Sequence, residues 1–335
     1  MTALKRRKTD RMNNNMESAL LKSLEGKKKV GIAGHIHPDG DCIGSSLAVY
    51  NFIRKEYPDI SCHVYLEEIP HIFEFLSNSD MIEAPGTASD TFDLFIILDC
   101  GDEKRLGKSA EYMKSASSTI CIDHHLSNAS FADVNIVKPD ASSTCELVMN
   151  ELPLEKIDKA IAECLYTGMV TDTGCFQYSC TSRSTMECAG ILMEKGIDYP
   201  AIVDRVFNEK TFEQNRMMGH ALDKAALSDD GTVIYSVISA AEMKEYKVLP
   251  KHMEGIVSQM RVTKGVSVAV LMYETNDGTY KGSLRGKGHK VNLSETASLF
   301  GGGGHALASG FTYSGNPDAA IDAIIKDIKR QTALS

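Results

Sequence analysis

The chain has 335 residues, 43% hydrophobic and 24% charged, with a formal net charge of −9 and a pI near 5.6. That length suits roughly two domains, and the composition is that of an ordinary globular protein. The acidic balance excludes a large non-specific nucleic-acid groove, which needs clustered Lys and Arg. It leaves short nucleotides open, because bound metal ions reverse the local charge.

The first 24 residues read as an N-terminal tail and a leading helix. Lys5-Arg6-Arg7-Lys8 is followed by Asn13-Asn14-Asn15 rather than by an apolar secretory stretch. No run approaches ~20 apolar residues, so no membrane span is expected. The nine cysteines form no CxxC pair, and Cys100, Cys121 and Cys164 adjoin apolar runs. They read as buried thiols of a reducing compartment, and a cytoplasmic location is expected.

Residues 25–200 alternate short apolar runs with amphipathic segments. Residues 29–34 read as a buried strand. The helix expected from Asp41 onward carries Ile43, Leu47 and Tyr50 at i, i+4 and i+7. Strands are expected at 62–66, 94–98 and 118–122; the continuous hydrophobicity of 94–98 suits a central parallel strand. Helical patterns follow at 142–152 and 156–169. This is the rhythm of an α/β fold with a doubly wound, mainly parallel sheet.

After Pro200 a polar helical linker is expected at 201–225, and then a smaller α/β domain at 226–335. Its strands are predicted near 232–238, 266–273 and 279–285, with Asn276-Asp277-Gly278 as a hairpin turn. Asn292 with Glu295 resembles a capping box. Asn316-Pro317 starts a last helix, cap then Pro at its first position. An active-site cleft is expected between the two domains. An antiparallel edge strand or an exposed helix would support a homodimer.

The chemistry-bearing residues fall after strands. His35, His37, Asp39 and Asp41 follow the first, Asp99 ends the run at 94–98, and Asp123-His124-His125 closes the run at 118–122. Asp172 lies downstream in Thr171-Asp172-Thr173-Gly174. In open parallel sheets the carboxyl ends of strands form the ligand crevice. Each residue alone has an ordinary reading: a turn Asp, a helix cap, a satisfied His. Together, His35, Asp39, Asp41, Asp99, His124 and Asp172 offer four carboxylates and two imidazoles, which two divalent cations would balance. Mixed N/O ligands suit Mn²⁺, Fe²⁺ or Co²⁺ better than Ca²⁺. Asp99 is placed to bridge two ions ~4 Å apart, the spacing used for in-line phosphoryl displacement. His37 is a weaker candidate that lines the pocket. Asp123 suits the role of partner orienting a His. His125 suits a hydrogen bond to the scissile phosphate or protonation of the leaving oxygen.

In the last third, Gly301-Gly302-Gly303-Gly304 precedes His305. Four consecutive glycines are expected to serve backbone approach to a ligand, with amides free to donate, rather than packing. His305 would grip a phosphate or terminal nucleotide, and Arg285 would supply a bidentate fork.

The segments containing His35, Asp39, Asp41, Asp99, Asp123-His124-His125 and Asp172 resemble the four motifs of the DHH phosphoesterases. Residues 301–311 resemble the signature of the DHH-associated C-terminal domain. The resemblance covers about residues 25–335 and is nearest to the NrnA-like oligoribonuclease and pAp phosphatase branch of the RecJ-like superfamily. One departure is Ala306-Leu307-Ala308-Ser309-Gly310, where many relatives have Ala-Ala-Gly before the aromatic residue. The resemblance implies two Mn²⁺ ions, one at His35, Asp39 and Asp99, the other at Asp41, Asp99, His124 and Asp172. It implies substrate contacts by His125, Arg285, Gly302, Gly303, Gly304 and His305. The expected activity is hydrolysis of short RNA, pAp, or linear and cyclic dinucleotides by metal-activated water, with no long duplex and no membrane as partner. An inorganic pyrophosphatase or exopolyphosphatase, and a non-catalytic nucleotide-binding regulator, are the alternatives.

Overall fold

A computed structural model describes residues 18–86, 91–275, 277–288 and 291–333. The basic tail, and Asn276 of the expected hairpin turn, lie outside the described residues. The chain divides into two compact units, Met1–Glu209 and Lys210–Ser335. Residues 201–225, expected as a linker, fall on both sides of that division.

The first unit is built on six parallel strands: β1 (Lys29–Ala33), β2 (Ser61–Tyr65), β3 (Ile82–Glu83), β4 (Leu94–Leu98), β5 (Thr119–Asp123) and β6 (Val134–Val137). Their order across the sheet is β3-β2-β1-β4-β5-β6, with every pairing parallel. The helices are α1 (Ala19–Leu24), α2 (Gly40–Glu56), α3 (Ala110–Ser115), α4 (Thr144–Glu151), α5 (Lys159–Asp172), α6 (Arg183–Met193) and α7 (Tyr199–Val203).

Strand β4 is buried along its whole length, as its sequence requires. On one face Ile32 and Ile96 pack with Leu47 of α2 and Leu165 of α5. On the other, Ala33, Phe95 and Ile97 pack with Tyr112 and Met113 of α3. Both faces being covered, the crevice at the carboxyl ends of β1, β4 and β5 is where functional side chains can converge. The expected parallel α/β architecture is present; five of the six ligand candidates follow these three strands, and Asp172 ends α5.

The second unit holds β7 (Ala226–Leu227), β8 (Val233–Ile238), β9 (Val268–Glu274), β10 (Tyr280–Gly286), β11 (Gly303–His305) and β12 (Ala308–Tyr313). The order is β11-β12-β10-β9-β8-β7; only β8 and β9 pair in parallel. Its helices are α8 (Phe212–Asp223), α9 (Ala240–Glu245), α10 (Ile256–Arg261), α11 (Leu293–Ser298) and α12 (Pro317–Ala333). Met217 and Ala221 of α8 pack with Ile234 of β8 and Leu271 of β9. Opposite them, Val270, Leu284 and Phe311 pack with Ala297 of α11 and Ile324 of α12.

Two local expectations change. Asn292 does cap α11, accepting from the Ser294 amide, but Glu295 does not return the bond. The Asn292 amide donates instead to Gln331 Oε1 on α12 at 2.7 Å, tying the two helices together. The glycine run is the larger correction, because it does serve packing. Gly303 and Gly304 pair with Gly310 and Ser309 in a short edge strand. A Cβ on Gly302 would lie 2.2 Å from the Gly310 carbonyl oxygen, so backbone lies against backbone there and a side chain has no room. Among the described residues no helix is long and apolar enough to cross a membrane.

Candidate metal centre

Six side chains from four segments of the first unit meet beyond the strand ends. His35 follows β1; its Nδ1 lies 2.8 Å from the Ile36 carbonyl. A ring nitrogen facing a carbonyl carries the hydrogen, which leaves Nε2 as the ligand atom. That Nε2 is 3.6 Å from Asp39 Oδ2 and 3.5 Å from Asp99 Oδ2. Asp39 caps α2 through Oδ1, accepting from the Asp41 and Cys42 amides at 3.1 Å. Capping thus holds one oxygen and turns the other toward His35.

Asp41 is fully buried on the first turn of α2. Its carboxylate accepts from the Thr144 amide at 2.6 Å and the Cys145 amide at 2.9 Å. These are the first two amides of α4, whose unpaired N–H groups favour an anion. Asp99 follows β4 with φ of 54°, a left-handed conformation uncommon outside glycine. Its Oδ2 faces His35, while Oδ1 lies 3.6 Å from His124 Nε2. His124 also lies 3.1 Å from Asp172 Oδ2 at the end of α5 and 3.9 Å from Asp41 Oδ2. Asp99 therefore presents one oxygen to each of two ligand groups.

His125 is held differently. Its Nδ1 lies 2.7 Å from Asp123 Oδ1, and Asp123 Oδ2 accepts from Asn128 Nδ2 at 2.7 Å. His37 is not part of the cluster: its side chain is 90% exposed, with Nδ1 3.4 Å from Glu67 Oε2, and its backbone amide donates to the same oxygen at 2.9 Å.

The electrostatics carry the mark of a cation site. Burial, then the Asp99 and Asp172 carboxylates, push the Asp41 pKa well above the usual carboxylate range. Burial works against charge on His35, yet hydrogen bonds to Asp39 and Asp99 hold its pKa up at about 10. His124 is likewise opposed by burial and raised to about 10 by Asp172, Asp41 and Asp99. Crowded buried carboxylates that recruit protons onto two imidazoles form a donor set that could hold a metal cation in place of those protons. Donor atoms of His35, Cys42 and Asp99, of Asp99, His124 and His125, and of Asp41, His124 and Asp172 each lie within 4.8 Å of one another.

Cys42, Thr144, Cys145 and Asn128 are absent from the sequence expectation. A signal existed for the α4 pair: Ser143 with Glu146 marks a helix start, and helix starts bind carboxylates.

The descriptions "DHH family, N-terminal domain" and "DHHA1 domain" match residues 29–169 and 230–333. The chain belongs to the DHH family. Five of the six ligand candidates lie inside the DHH segment, and Asp172 lies just beyond it. The chain is 27% identical over 317 residues to the bifunctional oligoribonuclease and PAP phosphatase NrnA of Thermus thermophilus, covering 93% of this chain and 92% of that one. It is 26% identical over 325 residues to the protein of the same description from Bacillus subtilis, covering 94% and 98%. Among solved structures, an exopolyphosphatase-related protein from Bacteroides fragilis superposes with a TM-score of 0.83 at 29% identity, covering 94% of this chain and 96% of that one.

In the DHHA1 segment, Lys281, Ser283 and Arg285 alternate along β10 with the inward Gly282 and Leu284. An open hollow of about 370 Å³ is lined by Tyr273, Lys281, Ser283, Gly301, Gly302 and Gly310, among others, but not by Arg285 or His305. Arg285 donates to the Leu284 carbonyl at 2.9 Å. His305 is exposed on edge strand β11.

Proposed function

We propose that this DHH protein is a metal-dependent phosphohydrolase acting on short oligoribonucleotides, pAp, or linear and cyclic dinucleotides. The observation that carries the reading is Asp99, whose two oxygens face His35 and His124 separately within a buried carboxylate cluster. The two relatives described as oligoribonuclease and PAP phosphatase, each matched over most of its length, support the substrate class. Two divalent cations, Mn²⁺ foremost, would sit at His35, Asp39 and Asp99, and at Asp41, Asp99, His124 and Asp172. When bound, they supply Lewis acidity to the phosphate and lower the pKa of a water.

The chain's own residues do the rest. Ester hydrolysis forms a bond from water oxygen to phosphorus and breaks the bond to the leaving oxygen, which needs a proton. His125 supplies it from Nε2, because Nδ1 is committed to Asp123. That Asp123 hydrogen bond is also the largest influence on His125 and raises its pKa, favouring the proton-carrying form. In the second unit Arg285, His305 and the backbone of Gly302, Gly303 and Gly304 grip the anionic substrate. All nine cysteines are free, which supports the expected cytoplasmic setting.

The test is hydrolysis of a panel with added Mn²⁺: pAp, an RNA dinucleotide and pentanucleotide, linear and cyclic dinucleotides, and inorganic pyrophosphate and polyphosphate. Turnover of the nucleotide members, abolished by EDTA, is expected. Turnover of the inorganic members alone would favour the reading that the Bacteroides fragilis description brings to mind. Binding with no turnover would favour a regulator.

A further inference from the structure

The segment that follows Asp172 has an unusual backbone. Gly174, Cys175 and Phe176 adopt φ of 54°, 57° and 64°, three successive left-handed residues of which two carry side chains. Such conformations persist only where the surroundings enforce them. Here the surroundings are the end of α5. Cys175 N donates to the Val170 carbonyl at 2.8 Å, and the amides of Gln177 and Tyr178 both donate to the Thr173 carbonyl at 2.9 Å. The Phe176 amide donates to Thr173 Oγ1 at 3.0 Å, and Cys180 Sγ lies 3.8 Å from the Asp172 carbonyl oxygen. The turn is thus fastened to the helix whose last residue is a metal-ligand candidate.

Its two aromatic rings are used differently. Phe176 goes inward and meets Tyr166 edge-on at 6.1 Å. Tyr178 stays outside, 57% exposed. Its ring lies directly over Gly174: a Cβ there would come within 2.3 Å of Tyr178 Cζ. Any residue but glycine at 174 would displace the ring. Among the described residues no other ring or cation is seen stacked on it. Strain, hydrogen bonds and a bare glycine combine to hold an exposed aromatic ring over Gly174, two positions along the chain from Asp172, and the ring is not among the residues packed on the core of the first unit.

We infer that Tyr178 is a nucleobase platform: its exposed face stacks the base of a nucleotide whose phosphate lies at the metal centre. The inference rests on the proposed phosphoesterase reading for the position of the phosphate. Stacking is sequence-tolerant, because every base has a π-face, so the platform selects nucleotides as a class over inorganic pyrophosphate and polyphosphate. It would accept both purine and pyrimidine ends, with purines favoured by their larger area.

The experiment compares the full-length wild type with Tyr178→Ala and Tyr178→Phe. Two readouts are taken: AMP affinity by calorimetry, and steady-state hydrolysis of pAp, an RNA dinucleotide and a base-free ribose bisphosphate. Tyr178→Ala is expected to weaken AMP binding and raise KM for the base-bearing substrates by roughly 10- to 100-fold, the range of a lost base stack. Its kcat should change little, its turnover of the base-free substrate should match wild type, and Tyr178→Phe should restore the wild-type pattern. Wild-type AMP affinity in Tyr178→Ala would overturn the inference. So would an equal loss on base-bearing and base-free substrates, or a Phe variant as impaired as Ala. If no nucleotide is hydrolysed by wild type yet AMP affinity still depends on the ring, the hydrolase reading fails and the platform stands. If hydrolysis proceeds with Tyr178→Ala unaffected, the platform fails and the hydrolase stands.

Discussion

The hydroxyl of Thr144 donates to Asp99 Oδ1 across 3.0 Å, and both residues are buried. The same residue's amide donates to Asp41 at 2.6 Å. One residue at the start of α4 therefore orients two carboxylates that come from different strand ends. Thr144→Val keeps the shape and the amide but removes the hydroxyl. Partners of this kind typically contribute 10- to 100-fold to metal affinity. A loss of about that size is expected in a calorimetric Mn²⁺ titration, with Thr144→Ser close to wild type. Equal Mn²⁺ affinity in Val and wild type would show that Asp99 needs no such restraint.

In chelator, the carboxylate cluster makes the folded chain favour protons. His35 and His124 are raised from 6.5 to about 10 in the folded state. A raised folded pKa contributes stability that is complete below the unfolded pKa and lost as pH rises through the folded one. The melting temperature of the metal-free protein should therefore fall steadily between pH 6.5 and about 10. Saturating Mn²⁺ should flatten or reverse that slope, because metal binding needs the ligands deprotonated. A metal-free melting temperature that rises over this window would contradict the electrostatic description of the site.

The chain Asn128–Asp123–His125 gives a kinetic prediction. Asp123→Asn leaves the shape and removes the charge that favours protonated His125. General acid catalysis is typically worth 10²- to 10⁴-fold, so kcat should fall at least ~100-fold with KM nearly unchanged. Asn128→Ala should fall in the same direction by less, since Asp123 keeps its bonds to the His124 amide and His125. A change confined to KM would move His125 from proton donor to binding group.

Much of this side-chain cluster is legible in the sequence, for a physical reason. Strands β1, β4 and β5 are short apolar runs, each followed within two residues by a polar ligand candidate, so strand end and candidate coincide in the sequence. The support was not legible. Thr144 and Cys145 lie more than a hundred positions from Asp41, and only the packing of α4 against the strand ends joins them. In the second unit, β11 and the start of β12 are not legible, because residues 301–310 show no alternation of apolar and polar side chains. Their pairing comes from backbone bonds that glycine permits. The Asn292 cap is legible in the local sequence, but its amide's partner, Gln331, lies on the far helix.

The glycine run can be separated into its two roles. Gly302→Ala places a methyl against the Gly310 carbonyl, whereas a Cβ on Gly303 meets nothing within 4 Å. Overpacking of this kind costs about 1–3 kcal/mol, so Gly302→Ala should lower the chemical-denaturation midpoint clearly. Gly303→Ala should stay within ~0.5 kcal/mol of wild type, and any effect it has should appear in KM. Equal destabilisation by both would mean that the run is uniformly packed and has no ligand-facing member.

Asp99 faces His35 with one oxygen and His124 with the other, and on the proposed function it would organise two cation sites for phosphate-ester hydrolysis. The most direct test is Mn²⁺ stoichiometry of purified Asp99→Ala by calorimetry, alongside pAp and RNA-dinucleotide turnover. Two ions in wild type, weakened binding at both sites in the variant, and no measurable turnover by the variant are expected. A variant that still binds two ions tightly, or still turns over either substrate, would contradict that role.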